Sequence, residues 1–290
     1  MKIAIAAATG NIGARVAQII SENREISLLL GKDKEQLEKQ KTSYAIPVPT
    51  DISKPEEVIA NTKEVDALLW LVPPVVHVPS IKEWYDQVIK AGTKTVKHNN
   101  IKRVVLISSL GAGYKQKTGT VGYVGNMERE FDKVTTNMVS IRPGYFMENF
   151  LLQKDKIIGN DVISFPYDED HDIPFISSDD IADAAAHYLM DDTWSGRWVK
   201  NLMGPANLTL TEATQIFSEK LKKKITYNKQ QYADIKTQFE AFGANENVQQ
   251  EMVDLFKALG DKDGIYATPR TYEAYTSTTL EDFIENKFLA

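Results

Sequence analysis

Short apolar runs alternate with amphipathic stretches through the first half of the chain. Residues 2–7 form the first strand candidate. Residues 11–21 then place Ile12, Val16, Ile19 and Ile20 at helical spacing. Further apolar runs at 26–30, 45–48, 67–72, 103–107 and 138–141 predict five more strands. The third ends at Thr50-Asp51 and the fourth at Pro73-Pro74, while long helices are expected over 80–98 and 121–135. Continuously apolar strands separated by helices define a parallel sheet covered on both faces. The expected fold is therefore α/β: a Rossmann-like, doubly wound parallel sheet. From about Gly144 the pattern loosens. Helices at 179–190 and 211–222 mix with short strands, and 234–259 reads as wholly helical. A dinucleotide-binding-type domain over 1–150 and a smaller α+β lobe over 151–290 are expected, with strand exchange between them allowed. The lobe would wrap the ligand edge of the sheet.

Composition narrows the partners. A net charge of −6 leaves no basic excess to neutralise phosphates, which argues against nucleic acid. The absence of cysteine excludes disulfides and thiolate chemistry. No apolar run reaches the roughly 18 residues of a membrane span. A cytoplasmic monomer or homodimer acting on a small molecule is the expectation. His171 lies among acids in "YDEDHDIPF", which reads as a solvated loop and not as a metal site, since no second histidine stands at ligand spacing. The basic "KLKKK" at 220–224 is a favourable helix end.

The chemistry concentrates at "AATGNIG", residues 7–13, behind the first strand. A phosphate-cradling turn must leave the strand sharply and present backbone amides at a helix N-terminus. Gly10 and Gly13 suit close approach and tight packing. Thr9 and Asn11 can hydrogen-bond locally, and the amides of Asn11 and Ile12 open the helix. Ala7 stands where such loops carry glycine, and is compatible only if it keeps a negative φ.

"AATGNIGARVAQII" resembles the G-A-T-G-x-x-G motif of the NmrA-like family of atypical short-chain dehydrogenases. Agreement continues in order through "VDALLWLVPP", "NNIKRVVLISSLGA", "VSIRPGYFMENF", "IPFISSDDIADAAAHYL" and "TTLEDFI". "IPFISSDDIADAAAHYL" would return to a helix in the substrate lobe, and "TTLEDFI" fits the closing helix. The resemblance implies an NAD(P)-binding protein, either a quinone reductase or a non-enzymatic NADP-sensing regulator. Similar members carry arginine where Gly31 stands, so Lys32 is the nearest cation for a 2′-phosphate and NADP(H) is favoured over NAD(H). Asp33 is the counter-signal. Strand ends should add Asp51 and Ile52, Val72 and Pro73, and Ser108 to the cofactor site.

The proton relay of ketone-reducing relatives, Tyr-x-x-x-Lys, is missing from the expected helix. Tyr123 is followed four residues later by Met127, and Asn126 precedes Glu128 and Glu130. The one match, Tyr232 with Lys236, lies in the lobe and reads as coincidence. No catalytic residue is assigned. Ser108 and Ser109 lack a paired histidine and read as cofactor-loop residues. A quinone demands less, because its reduced form delocalises charge and water can protonate it. Tyr123, Tyr145, Phe146 and Asn149 are the acceptor-binding candidates, with Tyr145 and Phe146 as a stacking platform or as inter-lobe packing. Pro74, His77 and Trp84 are expected to cover the fourth strand's exit.

Overall fold

A computed structural model of the chain describes residues 1–114 and 118–290. Seven parallel strands form the central sheet. In chain order they begin β1 (Lys2–Ile5), β2 (Ile26–Gly31), β3 (Ala45–Pro49), β4 (Ala67–Trp70), β5 (Arg103–Ile107) and β6 (Met138–Pro143). The helices between them are α1 (Asn11–Glu22), α2 (Lys34–Lys39), α3 (Pro55–Asn61), α4 (Ile81–Asn99) and α5 (Thr120–Asp132). Beyond β6 follow β7 (Tyr145–Phe146), α6 (Lys154–Asn160), β8 (Val162–Phe165), β9 (Asp172–Ile173), β10 (Phe175–Ile176), α7 (Ser178–Met190) and β11 (Arg197–Leu202). The remainder is β12 (Leu208–Thr209), α8 (Leu210–Leu221), β13 (Thr226–Lys229), α9 (Tyr232–Ala241), α10 (Glu246–Leu259) and α11 (Leu280–Phe283).

The sheet order is β11-β6-β5-β4-β1-β2-β3, so the chain reverses direction across the sheet between β1 and β4. In this topology the ligand crevice opens at that switch point, beyond the carboxyl ends of the strands. β3 is an edge strand, which is why it tolerates Pro47 and Pro49 without breaking a ladder on both sides. β1, β4 and β5 are buried on both faces: Ile5, Leu69 and Ile107 pack toward α1 and α7, Ala4, Leu68 and Leu106 toward α4 and α5. This two-sided burial explains the unbroken apolar runs in the sequence.

Two expectations from periodicity need correction. Residues 234–259 are not one helix. α9 ends ahead of Gly243, whose φ of +82° suits glycine, and α10 restarts at Asn245, whose side chain accepts the Val248 amide at 3.1 Å. Nor does the helix after "IPFISS" lie in the lobe. α7 packs on α1 against the sheet through Ile181, Ala182, Ala185 and Leu189. β11 then pairs with β6 as the seventh strand. The acidic loop also differs in one respect. Asp168 and Asp170 are exposed and pair with Lys229 and Lys262, but His171 is buried, its Nε2 lying 2.8 Å from the Leu259 carbonyl between Tyr167 and Tyr266.

The lobe has its own core, centred on Phe150, Phe165, Phe175 and Phe217. α10 joins the two cores: Val248 and Met252 pack on the sheet side, Ala258 and Leu259 on the lobe side. Among the described residues, no helix is long and apolar enough to cross a membrane.

Candidate functional site

The 7–13 loop leaves β1 at the switch point. Ala6 still donates to Leu69 of β4 and Ala8 to Leu30 of β2, so the strand ends between both neighbours. Ala7 turns with φ +52°, the left-handed region, contrary to the negative φ its side chain predicts. The Gly10 amide closes the turn on the Ala7 carbonyl at 3.0 Å. The chain thus adopts the geometry of a glycine at this position, at a cost of about 1 kcal/mol. Ala7→Gly is expected to stabilise the protein by up to about 1 kcal/mol, relief of strain outweighing the added freedom of the unfolded chain. A denaturation midpoint that falls, with an unchanged slope, would contradict this.

The two glycines do different work. Gly13 is buried, and a Cβ there would lie 2.5 Å from the Ala7 carbonyl oxygen and 2.8 Å from Ala8 Cα. It lets α1 sit against the end of β1. Gly10 has neither reason to be glycine. Its φ is −80°, open to any residue, and a Cβ would meet only the Ala7 oxygen, at 3.5 Å. It is exposed, and it caps α1 with no side-chain acceptor and no acid in the first turn. The amides of Asn11 to Gly13 have no acceptor within the helix. An exposed glycine at an uncapped helix N-terminus fits the pyrophosphate of a dinucleotide. Of the other loop residues, Thr9 is half-buried and Asn11 exposed, while the Ile12 side chain turns into the core and leaves only its amide at the loop.

At the far end of the crevice, β2 and β3 bring Lys32 and Asp51 together. Thr50 donates to the Gly31 carbonyl at 2.8 Å, and one residue further each way Lys32 Nζ lies 3.0 Å from Asp51 Oδ2. The other carboxylate oxygen of Asp51 accepts from the Ser53 amide at 3.0 Å and hydroxyl at 2.6 Å. Burial pushes the Asp51 carboxyl up, but Ser53 and the Lys32 ammonium more than offset this and hold it below the usual range. Lys32 also lies over the Trp84 ring, 5.7 Å from its centre, and Trp84 Nε1 donates to the Pro73 carbonyl at 3.0 Å. Asp33 is occupied elsewhere: it caps α2 by accepting the Gln36 amide at 3.0 Å. Ile52 and Val72 are core residues whose side chains back the crevice. Pro74 and His77 are exposed on the loop after β4, and Asn245 anchors that loop through the carbonyls of Val78 and Pro79.

At the end of β5 the Ser108 amide donates to Ile141 at 2.7 Å, while its buried hydroxyl has no partner among the described residues. A buried hydroxyl without a partner is costly, and at this strand end a bound ligand would relieve it.

The acceptor candidates do not form one platform. Tyr145 and Phe146 are consecutive in β7, so they point to opposite sides. Tyr145 joins the lobe's aromatic core, 5.6 Å from Phe165 and 5.7 Å from Phe175 between ring centres, and its hydroxyl faces Asn149. Phe146 packs on the sheet side with Ile141 and Ile176. Tyr123 lies between α4 and α10: its ring is 5.4 Å from Tyr85 and its hydroxyl faces Glu251. Burial, followed by that carboxylate, pushes the Tyr123 hydroxyl well above the ordinary range. A lysine in a relay does the opposite. Met127 is wholly buried, and Glu128 is held in a two-point pair with Arg142 at 2.9 and 2.5 Å. Tyr232 belongs to the lobe, under Lys257. Glu251 and Arg142 escape sequence reasoning, because each meets its partner only through packing between distant segments.

A doubly wound sheet with a glycine-bearing turn into an uncapped helix, and no relay lysine on α5, defines an atypical member of the short-chain dehydrogenase type of fold. The chain belongs to the NmrA-like family, whose model matches residues 1–284. Three solved structures share the fold over nearly the whole of both chains. A nucleoside-diphosphate-sugar epimerase from Staphylococcus aureus has a TM-score of 0.81 at 15% identity, over 99% of this chain and 100% of that one. The NADPH-dependent quinone oxidoreductase of Escherichia coli, solved with NADPH, gives 0.80 at 19%, over 99% of each. The triphenylmethane reductase of Citrobacter sp. gives 0.80 at 16%, over 100% of each. No curated protein sequence matches the chain significantly.

Proposed function

We propose that this protein is an NADPH-binding reductase that delivers hydride to a quinone-like or other conjugated acceptor. The observation that carries the proposal is Gly10: neither its backbone nor its packing requires glycine, and it stands at the uncapped N-terminus of α1. The quinone and dye reductases among the structural neighbours support the same reading. The amides of residues 11–13 hold the pyrophosphate, Lys32 receives the 2′-phosphate, and Ser108 and the Val72-Pro73 turn line the central crevice. Asp33 caps α2 through one of its carboxylate oxygens.

A nicotinamide held there would supply a hydride, that is two electrons and one hydrogen. The acceptor takes the hydride and one proton from water to become a hydroquinone, so no side chain need donate. This matches α5, where Tyr123 faces a carboxylate and Met127 is core. The chain's part is to position the acceptor and shield it from water, with residues 151–290 supplying the acceptor-side lobe apart from α7 and β11.

Steady-state NADPH oxidation against a panel of quinones and simple ketones tests the proposal. Turnover is expected with quinones and none with ketones, since a ketone needs a positioned acid as its alkoxide forms. Tyr123→Phe should stay within about threefold of the parent, no proton transfer by its hydroxyl being required. Efficient ketone reduction, or loss of quinone turnover in a folded Tyr123→Phe protein, would overturn the relay-free chemistry.

A further inference from the structure

We infer that Asp51 is a built-in rival of the cofactor's 2′-phosphate for Lys32, and that it holds the preference for NADPH over NADH below what Lys32 alone would give. This rests on the NADPH-binding reading above. The two members of the pair differ in freedom. The Asp51 side chain is 15% exposed, and Ser53 fixes its other oxygen through two hydrogen bonds. The Lys32 side chain is 61% exposed on a flexible stem that crosses the Trp84 face. The anion is anchored and only the cation can move.

Lys54, the other lysine of this cluster, is no spare cation. The Asp51 amide donates to Glu57 at 2.9 Å, and Glu57 is paired with Lys54 at 3.1 Å. Two lysines therefore face two carboxylates. An arriving 2′-phosphate meets one of two situations. Lys32 swings to it and leaves the Asp51 carboxylate without its cation, or Lys32 stays and the phosphate faces a neutral pair with an anion within reach. Both weaken the phosphate's binding. An unphosphorylated ribose has no such conflict, because its hydroxyls donate to a carboxylate. Asp51 thus opposes the 2′-phosphate and tolerates the 2′-hydroxyl.

The test is direct titration of NADPH and NADH into the intact protein, its Asp51→Asn variant and the Asp51→Asn, Lys32→Met double variant. Asparagine keeps an oxygen for Ser53 and removes the charge. The ratio of NADPH to NADH affinity is expected to rise by about tenfold in Asp51→Asn, through tighter NADPH, as a charge-assisted contact is released from its competitor. Lys32→Met in that background should return the ratio to the parent value or below. An unchanged or lower ratio in Asp51→Asn, with both cofactors binding, would overturn the inference and leave the reductase proposal standing. Failure of the parent protein to bind either cofactor would overturn both.

Discussion

Gly10→Val should abolish NADPH binding and leave a folded protein. The backbone at residue 10 has φ −80° and ψ 166°, which suits a β-branched residue, and no protein atom lies closer than 3.5 Å to a new Cβ. The cost to the fold is that of a poor helix cap, about 1 kcal/mol. Valine methyls at the head of α1 are expected to stand where a pyrophosphate must come close enough to accept hydrogen bonds from the α1 amides. Blocking that approach should weaken NADPH by at least about a hundredfold, since several charge-assisted contacts are lost together. Calorimetric titration, with circular dichroism to establish the fold, measures it. Parent-like affinity in a folded variant would remove the loop from the site.

Gly13→Ala should have the opposite phenotype, three residues along the same loop. The new methyl would lie 2.5 Å from the Ala7 carbonyl oxygen and 2.8 Å from Ala8 Cα, both backbone atoms held by the sheet. Neither can rotate away, so α1 must shift from β1. Overpacking against backbone of this kind costs about 3 kcal/mol, the upper end for one added methyl. The denaturation midpoint should drop accordingly, and NADPH affinity should fall only as far as the helix start is displaced. A Gly13→Ala protein as stable as the parent would mean that α1 is not seated on β1 as closely as the structure places it. The contrast between the two glycines separates a residue kept for ligand approach from one kept for packing.

Much of this site is readable from the chain because its signals are local. β1, β4 and β5 are covered on both faces, which forces unbroken apolar runs, and the strand-to-helix junction fixes where a phosphate loop would stand. Ser80 heading α4 and the proline pair closing the apolar run of β4 are equally local. Ala7 shows the limit. Its side chain argues for negative φ, yet the pairing of Ala6 with β4 and of Ala8 with β2 compels the turn that a glycine would make. Helix periodicity could not reveal the break at Gly243 to Asn245, since apolar spacing resumes in phase beyond it. α7 reads as amphipathic wherever it packs, so its return to the sheet is invisible without the partner helix α1. The Lys32–Asp51, Tyr123–Glu251 and Arg142–Glu128 pairs join residues from separate elements, and no spacing in the sequence encodes them. Tyr145 and Phe146 were legible as aromatics near a strand end, but two adjacent residues of a strand face opposite ways, and the aromatic platform divides between two cores.

A single turnover in the absence of oxygen shows whether the bound cofactor gives up its hydride. The protein is saturated with NADPH, excess cofactor is removed, and one equivalent of a small quinone is added while the reduced nicotinamide absorbance is followed. Stoichiometric loss of that absorbance is expected, with one hydroquinone formed per NADPH, and no such reaction in the Gly10→Val protein. NADPH that stays bound and reduced across the quinone panel would contradict it, and would identify a protein that reads the cofactor without spending its hydride.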